Sequence, residues 1–435
     1  MKYQSFIVVL FALAMLLWHG CASIGMQEKE QYDPANIPKL VEKLKENPDD
    51  KDAVIKLGII YFHQGEYERA KPILERSLEL NPEEPAALFY MGLTEEHFRN
   101  NVAAISYYEQ YASVPESSHY YDLMEGRHQV LLRRQIQEEM RILVAREAQL
   151  NDSDLSSQTV AVFPFSYNGS EERFSALGKG ISEMLSIDLS QIDQLTVVER
   201  VRMQELQNEL AVTRNVQFDA ATAPRIGRLL KAGRIVGGGF DVANETLLRM
   251  DVAAWDIVEG DFPEPTREAD ALKNLFQLEK ELVFKIIDDY GIELTAEERT
   301  AIQFIPTNNV LAFMAYCRGL EEEDRGMYIP AAQHYKEAAE LDPEFDRAKS
   351  KAKSMENINQ ALGTAQEFMS SVQASETAGP SVDLQESIVS DRLSKVANNL
   401  GSNFVPGQDS REGAEETAVS AGSEDLADPP VPPQP

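Results

Sequence analysis

The sequence predicts an α+β multidomain protein: an N-terminal helical array, a central α/β domain with a mixed sheet, a C-terminal helical hairpin and a disordered tail. Three observations carry this. Matching residues recur 34 positions apart between Pro48 and Pro115, strand-like and helix-like segments alternate between Thr159 and Tyr290, and a further copy of the 34-residue pattern stands near Gly319. A period of that length is the signature of stacked helical pairs.

The first element is a leader. Lys2 precedes an unbroken apolar run, Phe6 to Leu17, too short for the roughly 20 residues that span a bilayer as a helix and suited to a secretory signal. Gly20-Cys21 follows it. A small residue before a cysteine at that point resembles the bacterial lipobox, with Trp18 and His19 standing where that family has Leu and a small residue. The resemblance implies removal of residues 1–20, acylation of Cys21 and, with Ala22 after the cysteine, export to the outer membrane with the chain facing the periplasm. An ordinary signal peptide cleaved after Ala22 or Ser23 is the alternative. Several acyl chains, each contributing about 0.8 kcal/mol per buried methylene, would anchor the chain stably.

Residues 36–149 form the array. Gly58 and Gly92, Ala70 and Ala104, Leu74 and Tyr108, and Pro48 and Pro82 are each 34 residues apart, which resembles the tetratricopeptide repeat (TPR). The small residues mark close helix crossings, and Ile37 to Asn47 supplies an extra half repeat. Residues 119–149 read as one amphipathic helix (Leu131, Leu132, Ile136, Met140, Leu143, Val144) expected to cap the stack. The resemblance implies a partner-binding groove on the first helix of each pair, here Ile55, Ile59, Phe62 and His63, then Phe89, Leu93, Glu96 and His97. Burial of these residues by the half repeat and the capping helix is the alternative.

The central domain is expected over 158–303, after a polar linker. Thr159 to Phe165 reads as a buried strand, followed by a helix (Phe174, Leu177, Ile181, Met184, Leu185, Leu189) and a strand at Leu195 to Val198. Helices follow through Met203, Leu206 and Leu210 and over 220–232. Arg234 to Val242 and Thr246 to Ile257 pair across Asn244-Glu245, and a last helix is expected from Glu268 to Tyr290. The segments VAVFPF, LGKGISEMLSIDL, LTVVERVRMQELQNEL and APRIGRLLKAGRIVGGGF resemble the CsgG family of envelope proteins, which includes curli secretion channels, and also the TolB-like amino-terminal α/β domain. The resemblance spans about residues 158–260, with Gly233-Arg234 where the family commonly has Asp-Tyr. It implies envelope proteins as partners and leaves room for homo-oligomers. A pore is not expected, because transmembrane strands need about 9–11 residues each and the only hairpin foreseen is 234–257.

Residues 308–360 form a TPR-like hairpin. Gly319, Ala331, Tyr335, Ala338 and Pro343 repeat the spacing of Gly58, Ala70, Leu74, Ser77 and Pro82, and a lone repeat must pack on the central domain or on a partner. From 365 to 435 the chain is rich in Ser, Ala, Gly and acidic residues and is expected to be mostly disordered. Leu384, Ile388, Leu393, Val396 and Leu400 form one amphipathic island, either a transient helix or a partner ligand.

Composition narrows the function. With 41 basic and 72 acidic residues the net charge is −31, which repels nucleic acid and anionic headgroups and leaves the lipid as the expected membrane contact. Cys317 is the only cysteine after Cys21, so no intramolecular disulfide is available to the processed chain. No Walker A, GxSxG or HExxH pattern occurs. His63 and His97 fall at equivalent repeat positions, but two ligands make a weak metal site. The expectation is a non-enzymatic envelope scaffold without cofactor or metal; the alternative is a small-molecule or glycan sensor built on the α/β domain.

Overall fold

Three glycines set the helix crossings of the repeats. In the computed structural model, which describes residues 32–151, 154–213 and 222–378, a Cβ on Gly58 would lie 2.8 Å from Leu74, one on Gly92 2.4 Å from Tyr108, and one on Gly319 2.5 Å from Tyr335. Each large residue follows its glycine by 16 positions, so the same knob fills the same notch in all three hairpins. Cys21, the apolar leader and the island at 384–400 lie outside the described residues.

The N-terminal array comprises α1 (Ile37–Glu46), α2 (Lys51–His63), α3 (Tyr67–Leu80), α4 (Pro85–His97) and α5 (Asn101–Glu109). The Asp50 side chain caps α2 by accepting from Ala53 N, and Pro85 opens α4 where no backbone donor is needed. The turn between paired helices needs a left-handed residue seven positions after each glycine: Gly65 (φ 74°), Gly326 (φ 73°) and, in the second repeat, Arg99 (φ 59°). A long helix, α6 (His119–Ala145), follows, with Ser118 as its N-cap.

The sheet takes the order β3-β1-β4-β5-β6, with β2 also pairing β4. Its strands are β1 (Ser156–Val162), β2 (Ser166–Tyr167), β3 (Thr196–Val197), β4 (Ala232–Ala243), β5 (Leu247–Asp256) and β6 (Thr266–Ala271). β3 and β4 run parallel to β1, whereas β4-β5-β6 is an antiparallel meander. The sheet is therefore mixed. Asn244 and Glu245 both take positive φ at the β4–β5 turn, the mirror-image turn that suits strand twist. Between the strands run α7 (Leu177–Leu189), α8 (Arg200–Thr213) and α9 (Ala223–Leu230), and after β6 come α10 (Leu275–Asp289) and α11 (Ala296–Ile302).

Four helices end the described chain: α12 (Val310–Asp324), α13 (Tyr328–Leu341), α14 (Asp346–Gln360) and α15 (Ala365–Ala378). Residues Gln31–Phe368 form one compact unit, and Met369–Ala378, the end of α15, falls outside it.

One expectation is corrected and two are refined. The helix expected from Glu268 begins only at Leu275, because residues 266–271 pair with β5 as an edge strand. That strand adds a second antiparallel pair, so the argument against a pore from a lone hairpin does not hold as stated. The tail, expected to be mostly disordered from residue 365, is helical over Ala365–Ala378, and the remainder lies outside the described residues.

The other refinement concerns α6, which packs on α4 and α5 at the end of the array and then continues beyond it. Its first half packs on α14, where a Cβ on Gly126 would come 2.3 Å from the Asn357 carbonyl oxygen. Its second half enters the core of the sheet domain, where Ile136 and Met140 meet Phe163, Val198, Met203, Leu206, Ile235 and Trp255. The C-terminal hairpin also leans on that domain, with Cys317 and Phe313 of α12 against Gly180 of α7. The sheet domain is thus an insertion between two sets of helical pairs that meet across α6.

Candidate interaction site

The groove expected from the repeats is filled by the chain itself. Ile59, Phe62, Phe89 and Leu93 are buried, and Ile55 is half-buried. The Phe89 ring lies 5.3 Å from that of Tyr120 at the start of α6 and 6.0 Å from that of Phe368 on α15. Glu96 is consumed by a buried ion pair with Arg127 of α6. Only His63 and His97 of the eight residues are exposed. They do not face one another as ligands: His63 Nε2 lies 3.0 Å from the Tyr90 hydroxyl, and His97 stacks on Tyr67 at 3.8 Å. Among the described residues, no group of three His, Cys, Asp or Glu side chains could hold a metal ion.

In place of an open groove the structure builds a matched pair of charge locks. Tyr108 packs over Gly92 and donates its hydroxyl to Glu96 (2.9 Å), and Arg127 donates to the same carboxylate from Nε (2.8 Å) and Nη2. In the C-terminal hairpin, Tyr335 packs over Gly319 and donates to Glu323 (2.7 Å), and Arg133 donates from Nη2 at 2.6 Å. Glu96 and Glu323 both stand four residues after their glycine. Both arginines belong to α6, so this helix grips one repeat on each side with the same chemistry.

Each lock has further bolts. Arg127 also donates to the carbonyls of Ala361 (2.8 Å) and Gly363 (3.0 Å), and Asn357 donates to Glu125 at 2.7 Å. Glu323 takes Lys351 of α14 (3.0 Å) and Arg200 of α8 (2.7 Å) as well. Arg200 then reaches Asp324 and Glu183, and Lys179 of α7 reaches Asp324 at 2.7 Å. Burial would raise the Glu323 carboxyl, but the charges of Arg200, Lys351 and Arg133 outweigh it and hold the group well below the usual carboxylate range. The site therefore stays ionised and positions the repeats and the sheet domain relative to one another.

Of the expected groove residues only Glu96 belongs to a lock, and the repeat spacing did not mark it as an ion-pair partner. Arg127 gave a legible signal, a charge between Met124 and Leu131 on the apolar stripe of a helix, where a buried partner is required. Cys317 is fully buried and its thiol is pushed up by desolvation, which leaves it a packing residue rather than a nucleophile.

A protein of paired helices wrapped around an inserted, mixed-sheet α/β domain, with its rigid parts positioned by buried charge, has the architecture of an interaction fold. Comparison with known families agrees. The tetratricopeptide repeat model matches residues 55–118, and that of the curli production assembly/transport component CsgG matches residues 124–244. The chain therefore carries TPR repeats and a CsgG domain, the latter matched from within α6 rather than from the polar linker. No curated protein matches the chain.

Three solved structures overlay on much of it, each with a TM-score of 0.22. A tetratricopeptide repeat protein from Parabacteroides merdae is 14% identical over 77% of this chain and 82% of its own. Naa15/Naa10 bound to HypK-THB is 13% identical over 91% and 45%, and yeast Tom70 is 16% identical over 83% and 68%. At that score the overlays carry no argument.

Proposed function

We propose that the chain is an outer-membrane lipoprotein, anchored through Cys21 and facing the periplasm, that serves as a non-enzymatic scaffold in the assembly or secretion of an envelope structure. One observation carries this reading furthest: α6 joins the TPR array, the CsgG domain and the C-terminal hairpin into a single positioned body, through Glu96–Arg127 on one side and Glu323–Arg133 on the other. A body so joined presents several outer surfaces at fixed spacing, which is what a scaffold requires. TPR folds bind proteins; here the surface left for partners is the outer edge of the array around His63 and His97, not the apolar groove.

The test is metabolic labelling with an alkyne fatty acid, followed by membrane fractionation and cross-linked co-purification from intact envelopes. The full chain should be labelled, sediment with outer membranes and retain a defined set of envelope proteins. Cys21→Ser should lose label and membrane association together, and His63→Ala with His97→Ala should lose a partner without unfolding. Label that persists without Cys21, or a chain that brings down no envelope protein, would overturn the proposal.

A further inference from the structure

A cavity of about 510 Å³ lies where the sheet domain meets the C-terminal helices, away from the groove and bordering the outer end of the Glu323 lock at Glu183. Its volume is in the range of small-ligand sites, about 300–1,000 Å³. α7 supplies Met184, Ile187 and Asp188, α10 supplies Lys280, and the first turn of α14 supplies Arg347; Phe304 and Pro306 close the wall from the segment after α11.

Two features define what could sit there. Lys280 is already matched by the nearly buried Asp188, to which it donates a hydrogen bond, so this pair is neutral. Arg347 is not matched in the same way. Among the described residues, the one carboxylate within 4.0 Å of its guanidinium is Glu183 at that distance, and Glu183 is held by Arg200 at 3.0 Å. A planar guanidinium with unused donors suits a carboxylate gripped by two parallel bonds. Beside it, Phe304 stands 69% exposed, an apolar ring that a ligand body would cover. At the rim, Glu344 and Asp346 oppose a multiply charged anion.

We propose that this cavity binds a single carboxylate carried on a compact apolar body, held by Arg347 and covered by Phe304. The carboxylate belongs either to a small free acid or to the carboxyl terminus of a peptide. The inference is independent of the scaffold reading and of lipidation.

The test is calorimetric titration of the full chain with four probes: octanoate, N-acetyl-Ala-Ala-Leu as the acid, the same peptide as its C-terminal amide, and inorganic phosphate. At least one acid should bind; octanoate alone would indicate a free acid, and the peptide acid alone a protein terminus. The amide should bind at least tenfold more weakly, the loss expected for one charge-assisted pair. Arg347→Gln should cost about tenfold, Arg347→Lys less, and Phe304→Ala several-fold, with unchanged far-ultraviolet circular dichroism. Equal binding of acid and amide, phosphate binding as tight as the acids, indifference to Arg347→Gln, or no binding of either acid up to about 10 mM would each overturn the proposal.

Discussion

Glu323→Gln removes one charge and almost no volume, and it strikes the point where α6, α8, α13 and α14 converge. In the native chain this carboxylate, 2% exposed, serves Arg133, Arg200, Lys351 and the Tyr335 hydroxyl. Breaking a buried ion pair by removing one partner costs about 3–5 kcal/mol. Arg200 retains Asp324 and Glu183, but Arg133 and Lys351 lose their shared partner, so the expected cost is about 3 kcal/mol. At roughly 2 °C per kcal/mol for a unit of this size, the midpoint of thermal unfolding should fall by about 6 °C.

The pH dependence follows from the depressed titration of Glu323. A carboxyl held below its unfolded value of 4.5 stabilises the fold above that value and loses the contribution as acid protonates the native group. The difference between native chain and variant should therefore be constant from about pH 6 to 8 and shrink below about pH 4. The assay is urea and thermal unfolding of the full chain, with a double-mutant cycle against Arg133→Met. A loss under about 0.5 kcal/mol, or a cycle with no coupling, would refute the idea that this charge holds the halves together.

Other expectations bear on separate links. Gly126→Val should drive a side chain into the Asn357 carbonyl, destabilise by about 2–3 kcal/mol and make the 346–378 segment the first cut in limited proteolysis; unchanged cleavage would disprove the α6–α14 contact. Arg99→Gly should stabilise by about 0.5–1 kcal/mol by relieving a left-handed side-chain residue, a gain readable in urea midpoints. Glu279 is buried without a hydrogen-bond partner, and burial together with the Asp188 charge pushes its carboxyl well above the usual range. Its contribution is complete below 4.5 and is lost as pH rises towards the native value, so the stability of Glu279→Gln relative to the native chain should grow from about pH 5 to 8. A difference that stays flat over that interval would mean that Glu279 is ionised in the fold.

The repeats were legible because their information is local. A glycine and a bulky residue 16 positions apart describe one helical hairpin, and the same spacing works at Gly58, Gly92 and Gly319. The β4–β5 hairpin was legible for the same reason: Asn244-Glu245 between alternating runs specifies the turn and the pairing on either side. The CsgG-like segments likewise carried their alternation of strand and helix in their own periodicity.

Tertiary structure alone decided what became of the groove. Phe89 and Leu93 look like ligand-facing residues until α6 and Phe368, the latter nearly three hundred positions further along the chain, are placed against that side of the repeat. β6 was hidden because Thr-Arg-Glu-Ala-Asp-Ala has no apolar face; it is a strand because β5 offers it a ladder and Asp251 pairs with Arg267 at 2.6 Å. The two locks on α6 were half visible, since Arg127 interrupts an apolar stripe, but their partners were not. A buried charge announces that it needs an opposite charge; which of the chain's 72 carboxylates supplies it is a matter of how distant helices pack, and that packing is what determines where a partner can bind.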